Sequence, residues 1–180
     1  QKTKASVLYA VISAPSEDLV CLIGHTPMMC ERFQGLFVKA DGDYFYICNL
    51  LYADEMADHI PAERIYSWFD GDGFVPTVKE VLGKKGLLGK KIGVSGAVRA
   101  FNIMAISAAM EVHWVDALTL VHEARIHKSD EELDGLRGAA RIADEAFMKT
   151  IKEIKPGMTE LEVKTILQGH MNALGGDCKG

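Results

Sequence analysis

Two helix-start signatures of the same kind constrain the C-terminal part of the chain most tightly. Ser129 is followed three residues on by Glu132, and Thr159 by Glu162. In each, the hydroxyl can accept one free helix-start N–H while the carboxylate accepts another, which fixes where a helix begins. After Ser129, Leu133, Leu136, Ala140, Ala143, Phe147, Ile151 and Ile154 recur at steps of three and four. That spacing lines up one face of an α-helix, so one buried face is predicted. Lys155-Pro156-Gly157 ends the helix, because proline lacks an N–H and glycine tolerates the reversal. The second helix is predicted to turn Val163, Ile166, Leu167, His170, Met171 and Leu174 inward and to stop at Gly175-Gly176. Gly135 and Gly138 lie inside the first helix at a cost of about 1 kcal/mol each relative to alanine, and nothing in the sequence explains them.

Upstream, strand and helix signals alternate. Residues 6–13 (SVLYAVIS) are apolar and β-branched and are bounded by Pro15, the mark of a buried strand. Ser16 can cap a brief helix to Ile23, and residues 24–35 form a loop carrying His25, Met28, Met29, Arg32 and Phe33. Strands over 36–39 and 44–50 flank Asp41-Gly42, which supplies the positive φ that a tight hairpin needs. A helix over 52–59 and a strand over 64–69 follow, then the loop Asp70-Gly71-Asp72-Gly73 and a helix over 75–85. A strand over 91–95 with Ile92 and Val94 inward, a very apolar helix over 101–110, a strand over 112–115 and a further helical turn or two over 118–124 complete the series. Such alternation predicts the α/β class. Because one neighbouring pair is a hairpin while others need crossovers, the expected architecture is a mixed β-sheet flanked by helices.

A chain of 180 residues suffices for one domain, or one with an incomplete second. At this size roughly 70% of the unfolded surface can be buried, so no covalent staples are required. The net charge of -5 gives no reason to expect a nucleic-acid or anionic-membrane partner. Cys21, Cys30, Cys48 and Cys178 show no CxxC spacing and read as free thiols of a reducing, cytoplasmic setting. No apolar run approaches a bilayer-crossing length, and no signal peptide is seen at the start. The start at Gln1 without a methionine and the stop at Gly180 soon after a helix read as a fragment.

Tests for chemistry on the residues alone come back negative. His122 and His127 invite comparison with HExxH. They lie about 140° apart round a helix, however, and so do not share a face for zinc; His122 is expected to be partly buried and His127 to lie in a linker. Asp70-Gly71-Asp72-Gly73 begins like a calcium loop, but it lacks an acid at the fifth position and carries Val81 where the bidentate glutamate belongs. Gly83, Gly86 and Gly89 follow a helix instead of opening one and read as loop glycines. Cys30 near His25 reads as packing, and Met28-Met29 with the aromatics of 44–46 as core or interface. No catalytic residue and no metal ligand is identified.

A resemblance carries the functional reading. Arg125-Ile126-His127-Lys128-Ser129, then Arg137, Ala140, Ile142-Ala143-Asp144 and the run IKPGMTELEV over 154–163 resemble the opening of the pita-bread catalytic domain of the creatinase, prolidase and Xaa-Pro aminopeptidase superfamily. Ala14-Pro15-Ser16, Leu22-Ile23-Gly24, Glu31-Arg32-Phe33, Gly35-Leu36, Ala40-Asp41-Gly42 and LGKKIGV over 88–94 are similar, in order, to its small N-terminal domain with the first helix clipped. The resemblance implies a creatinase/prolidase-like N-terminal domain over 1–124. It also implies a helical pair over 125–180 that opens a truncated pita-bread domain.

In the superfamily's peptidases two aspartates, a histidine and two glutamates hold a pair of divalent metals, usually manganese, cobalt or zinc. A bridging hydroxide attacks the carbonyl before proline while the metals stabilise the oxyanion. Nothing in this chain matches those ligands. The resemblance therefore implies the N-terminal part of an Xaa-Pro dipeptidase or aminopeptidase-like metallohydrolase for proline-containing peptides, with two metals in the full-length protein and none bound by this chain. The chain alone is expected to be inactive. The resemblance also implies a homodimer in which loop residues reach the partner's active site. His25, Arg32 and Phe33 are the expected substrate contacts, Arg32 either holding a carboxylate or forming a structural ion pair. Creatinase-like or other small-amide hydrolysis, and a catalytically dead peptide-binding module such as a histone-chaperone domain, are the alternatives.

Overall fold

The computed structural model describes residues 8–176 and divides the chain into two compact units, Gln1–Ile126 and His127–Gly180. The first is built on six strands: β1 (Ala10–Ser13), β2 (Gly35–Lys39), β3 (Tyr44–Asn49), β4 (Ile65–Trp68), β5 (Lys91–Val94) and β6 (His113–Asp116). They lie in the order β4-β3-β2-β1-β5-β6. β2 runs antiparallel to both β1 and β3, with Ser13 opposite Leu36 and Val38 opposite Tyr44. The remaining pairs are parallel, with Val11 beside Gly93 and Gly93 beside Val115, and Asn49 beside Trp68. All strands except β2 therefore end at one edge of the sheet, where β2 begins. The Asp41-Gly42 turn closes the β2–β3 hairpin, and Gly42 takes φ 87°, a value that a residue with a Cβ rarely adopts.

Alternate side chains of a strand point to opposite faces, and here both faces are covered. On one, Ile12, Phe37, Phe45, Ile47 and Ile92 pack against Val78, Val81 and Leu82 of α3 (Phe74–Lys84) and Ile106 of α4 (Ala100–Ala109). On the other, Leu36, Tyr46 and Cys48 pack against Leu19 of α1 (Glu17–Ile23) and Met56 of α2 (Ala53–Ala57). A further helix, α5 (Leu118–Ile126), lies beside α1. Phe33, Phe37 and Phe45 are fully buried, each contributing about 1.5–3 kcal/mol, so the expected mixed sheet flanked by helices is held chiefly by its two apolar layers.

Several boundaries differ from the sequence expectation. The first strand is β1, shorter than residues 6–13, of which 6 and 7 lie outside the described residues. The helix expected over 52–59 resolves into a 3-10 turn, Leu50–Tyr52, in which Leu51 N–H donates to the Asn49 side chain, and the short α2. α4 is apolar as expected, yet Phe101 is 49% exposed while Asn102 is 6% exposed. The sheet lies under the Asn102–Ile106 line of the helix, and composition could not indicate that side.

The second unit is a pair of helices, α6 (Asp130–Thr150) and α7 (Glu160–Ala173). Both capping boxes form: Ser129 N–H donates to Glu132 at 2.7 Å and Thr159 N–H to Glu162 at 2.7 Å, with the reciprocal bonds at 3.2 and 3.3 Å. These backbone donors hold both carboxyls below their usual range. Val163, Ile166, Leu167, His170, Met171 and Leu174 are half-buried, as expected. The face predicted to be buried on α6 is not. Leu136, Phe147, Ile151 and Ile154 are exposed, while Ala146 and Thr150 are buried. α7 packs on α6, and the covered line of α6 runs through Ile142, Ala146 and Thr150 at steps of four, to one side of the apolar stripe. A single partner helix also cannot cover a broad apolar stripe. An added Cβ at Gly135 or Gly138 would meet nothing within 4 Å, so close packing does not explain those glycines.

Candidate functional site

Loops at the ends of parallel strands are where α/β sheets place their sites. At this edge gather residues 14–16 after β1, 24–34 leading into β2, the 3-10 turn after β3, 69–73 after β4 and 95–99 after β5. The loop of 24–34 is tied down throughout. Phe33 is 1% exposed, its ring stacked on Phe74 with centroids 4.8 Å apart and its carbonyl accepting Trp68 Nε1–H at 2.9 Å. Next to it, Gln34 accepts the Tyr46 hydroxyl at 3.1 Å and donates to the Met28 carbonyl at 3.4 Å.

The polar groups of the loop are each engaged. Arg32 directs Nε and Nη2 at the Asp70 carboxylate, at 3.1 and 2.9 Å, and Nη1 at Glu31 at 3.0 Å. Asn49 donates to Asp70 as well, at 2.9 Å, so one carboxylate joins three loops. The hydrogen bonds from Arg32 hold the Asp70 carboxyl below its usual range, and the same contact raises the guanidinium further above its own. His25 Nε2 lies 2.8 Å from Glu55 Oε1, and its ring stacks on His59 with centroids 4.1 Å apart and 4° between planes. Cys30 Sγ lies 3.0 Å from the Tyr52 hydroxyl, a contact that, with partial burial, pushes the phenol upward.

The three residues named from sequence thus have different fates. Arg32 and His25 are partly exposed but bound to different partners. Phe33 is core: its ring anchors the loop and offers no surface to a substrate. Met28 and Met29, 72% and 53% exposed, are not core. Sequence reasoning missed Asp70, read as an acidic turn, and Asn49; both act across 21 to 38 residues, and no spacing signals them. His122 is exposed on α5, not partly buried. Among the described residues no group of three or more His, Cys, Asp or Glu side chains could hold a metal, and the parallel His25 and His59 rings do not converge on one point. The described residues therefore do not fit a dinuclear centre. No described helix is long and apolar enough to cross a membrane.

Comparison with known proteins settles the family. The profile of the creatinase/prolidase N-terminal domain matches residues 2–127. The chain belongs to this family. Among members of known sequence, the probable dipeptidase PepE of Mycobacterium tuberculosis is 27% identical over 159 residues, which is 87% of this chain and 42% of PepE. A creatinase from a Bacillus species is 31% identical over 101 residues, 55% of this chain and 25% of that protein. Among solved structures, a dipeptidase from Pyrococcus horikoshii superposes with a TM-score of 0.77 at 25% identity, covering 92% of this chain and 46% of its own. The creatinase/prolidase N-terminal chain described here thus spans less than half the length of each of these relatives.

Proposed function

We propose that this chain is the N-terminal part of an Xaa-Pro dipeptidase or aminopeptidase-like hydrolase. On this reading the whole protein cleaves proline-containing peptides as a cytoplasmic homodimer with two divalent metals. The observation that carries the reading is the PepE alignment. Its 159 residues exceed the family segment of 2–127, so the likeness runs on into the capped helices. The described residues do not fit a dinuclear centre, and the metal chemistry is not assigned to them. Their part is to bind and orient. The strand-end edge offers His25 and the Arg32–Asp70 pair on a loop anchored by Phe33, with Met28 and Met29 exposed beside them. Since the Arg32 fork is occupied by Asp70, its role is to hold the loops together. The three described cysteines are free, which supports a reducing compartment.

The test is to assay the full-length protein and the 180-residue chain with Xaa-Pro dipeptides, reading proline release, and with creatine in parallel. Release by the full-length protein and none by the chain is expected. Creatine turnover without proline release would favour the creatinase reading, which the 31% identity to a creatinase supports. Proline release by the chain alone would overturn the assignment of chemistry to residues elsewhere. Sedimentation of the full-length protein tests the dimer, and metal content per chain tests the cofactor.

A further inference from the structure

β1 and β5 are parallel neighbours, yet the helices that follow them cover opposite faces, α1 one and α4 the other. Their loops diverge, which leaves a crevice over the strand ends, the place where open α/β sheets bind ligands. It is lined by Pro15 after β1, by Cys30 and Arg32 of the loop before β2, and by Ala97, Arg99 and Asn102 after β5, and encloses about 20 Å³. That is room for a single oxygen-sized group.

Two features of this crevice, the uncapped start of α4 and Arg99, favour negative charge, and a third, the Asn102 carboxamide, is a buried polar group left without a partner. Asn102 is 6% exposed, its Oδ1 is buried without a hydrogen-bond partner, and its carboxamide has no other polar contact among the described residues. Such orphaned groups are rare and call for an explanation. The ten-residue α4 starts at this point without a side-chain cap. Its first intrahelical donor is Asn102 N–H, to the Arg99 carbonyl at 3.1 Å, so the N–H groups of Ala100 and Phe101 are left for an acceptor. Arg99 is half-buried and has no acidic partner among the described residues; its contact is with the Phe101 ring, 6.0 Å to the centroid. Arg32 on the opposite wall is committed to Asp70 and Glu31 and is not needed.

We propose that the crevice between β1 and β5 is an oxyanion-binding site, in which one oxygen of a carboxylate or phosphate accepts hydrogen bonds from the Asn102 amide and the α4 N-terminus while Arg99 closes on the charge. The carboxamide turns about its last bond to present its NH2 group, which a carboxamide can do because it carries a donor and an acceptor on equivalent positions. The small volume means that only the tip of the anion is enclosed, so the body of the ligand lies outside, near the exposed Phe101 ring. The inference does not depend on the hydrolase reading: Arg32 stands in the crevice wall, but the anion is held by Arg99, Asn102 and the α4 N-terminus alone.

The experiment is a titration of the isotope-labelled 180-residue chain with sodium acetate and, separately, sodium phosphate, at ionic strength held constant with sodium chloride and followed by amide NMR. Saturable shifts at Ala100, Phe101 and the Asn102 side chain are expected. They should weaken at least about tenfold in Arg99→Gln, as for loss of one charge-assisted contact, and persist in Arg99→Lys. Tighter saturation by acetate identifies a ligand carboxylate, and tighter saturation by phosphate a phosphate ester. Linear shifts, shifts shared evenly by surface lysines and arginines, or an Arg99→Gln variant that titrates like the parent would overturn the site. Arg99 is half-exposed, so its variants fold; Asn102→Leu, where it folds, should abolish the shifts.

Discussion

Substituting alanine for Gly93 tests how closely β5 is packed against the chain that follows β6. Gly93 lies in the middle of β5, between Val11 of β1 and Val115 of β6. A Cβ added there would stand 2.7 Å from Ala117 Cβ and 3.3 Å from Leu8 Cδ1 and Val11 Cγ2. Carbon atoms in contact prefer about 3.5–4.0 Å, so the Ala117 methyl must retreat by about 1 Å, whereas the ends of Leu8 and Val11 can rotate aside. Ala117 cannot retreat freely. It is buried, and its N–H donates to the Val94 carbonyl at 3.1 Å, so it is tethered to the strand that pushes it. Overpacking of this kind costs about 1–3 kcal/mol, less a few tenths for the glycine freedom removed from the unfolded chain. Gly93→Ala should therefore lose about 2 kcal/mol. Ala117→Gly should lose about 1.5 kcal/mol, from one buried methyl and one added glycine. In the double variant the two effects should fall short of their sum by about 2 kcal/mol, because the clash is gone. Urea unfolding followed by tryptophan fluorescence reads this unit alone, since Trp68 and Trp114 both lie within Gln1–Ile126. A single variant within about 0.5 kcal/mol of the parent, or strict additivity, would exclude the close approach of residues 93 and 117 as the source of the loss.

Asp18 is 7% exposed in its side chain and Arg125, 2.9 Å away, 34%. Removing the cation strands a buried carboxylate, so Arg125→Met should cost about 2–3 kcal/mol and Asp18→Asn about 1 kcal/mol; equal losses in the same urea assay would contradict this. Burial pushes the Cys48 thiol up to about 12, while Cys21 is exposed. Alkylation at pH 8 read by mass spectrometry should therefore mark Cys21 at once and Cys48 only on unfolding. For Asp70, whose folded carboxyl is held low by Arg32, the contribution to stability is complete above the unfolded value near 3.9 and fades as pH falls through the lower folded one. The stability gap between parent and Asp70→Asn should stay constant from about pH 7 to pH 5 and close below about pH 4; a gap that closes near neutrality would exclude the carboxylate as its source.

Features settled between near neighbours were legible in the residues alone. Ser129 with Glu132 and Thr159 with Glu162 form their boxes because donor and acceptor lie three residues apart. Gly42 turns the hairpin because backbone freedom is a property of that residue. Alternating residues such as Phe45, Tyr46, Ile47 and Cys48 separate onto two faces because a strand repeats every two. The resemblance spread over the chain carried the family for the same reason, since it rests on residues in order. Tertiary structure alone decided what depends on which element arrives beside which. It placed β1 next to β5, and so made the crevice that Arg99 and Asn102 line. It took Phe33 out of the loop and into the core, and joined Arg32 to Asp70 across 38 residues. It also covered the Ala146 and Thr150 line of α6 while Phe147 and Ile151 stayed exposed. The spacing of apolar residues fixes how wide a helix face is, but the position of its neighbour decides whether that face is buried.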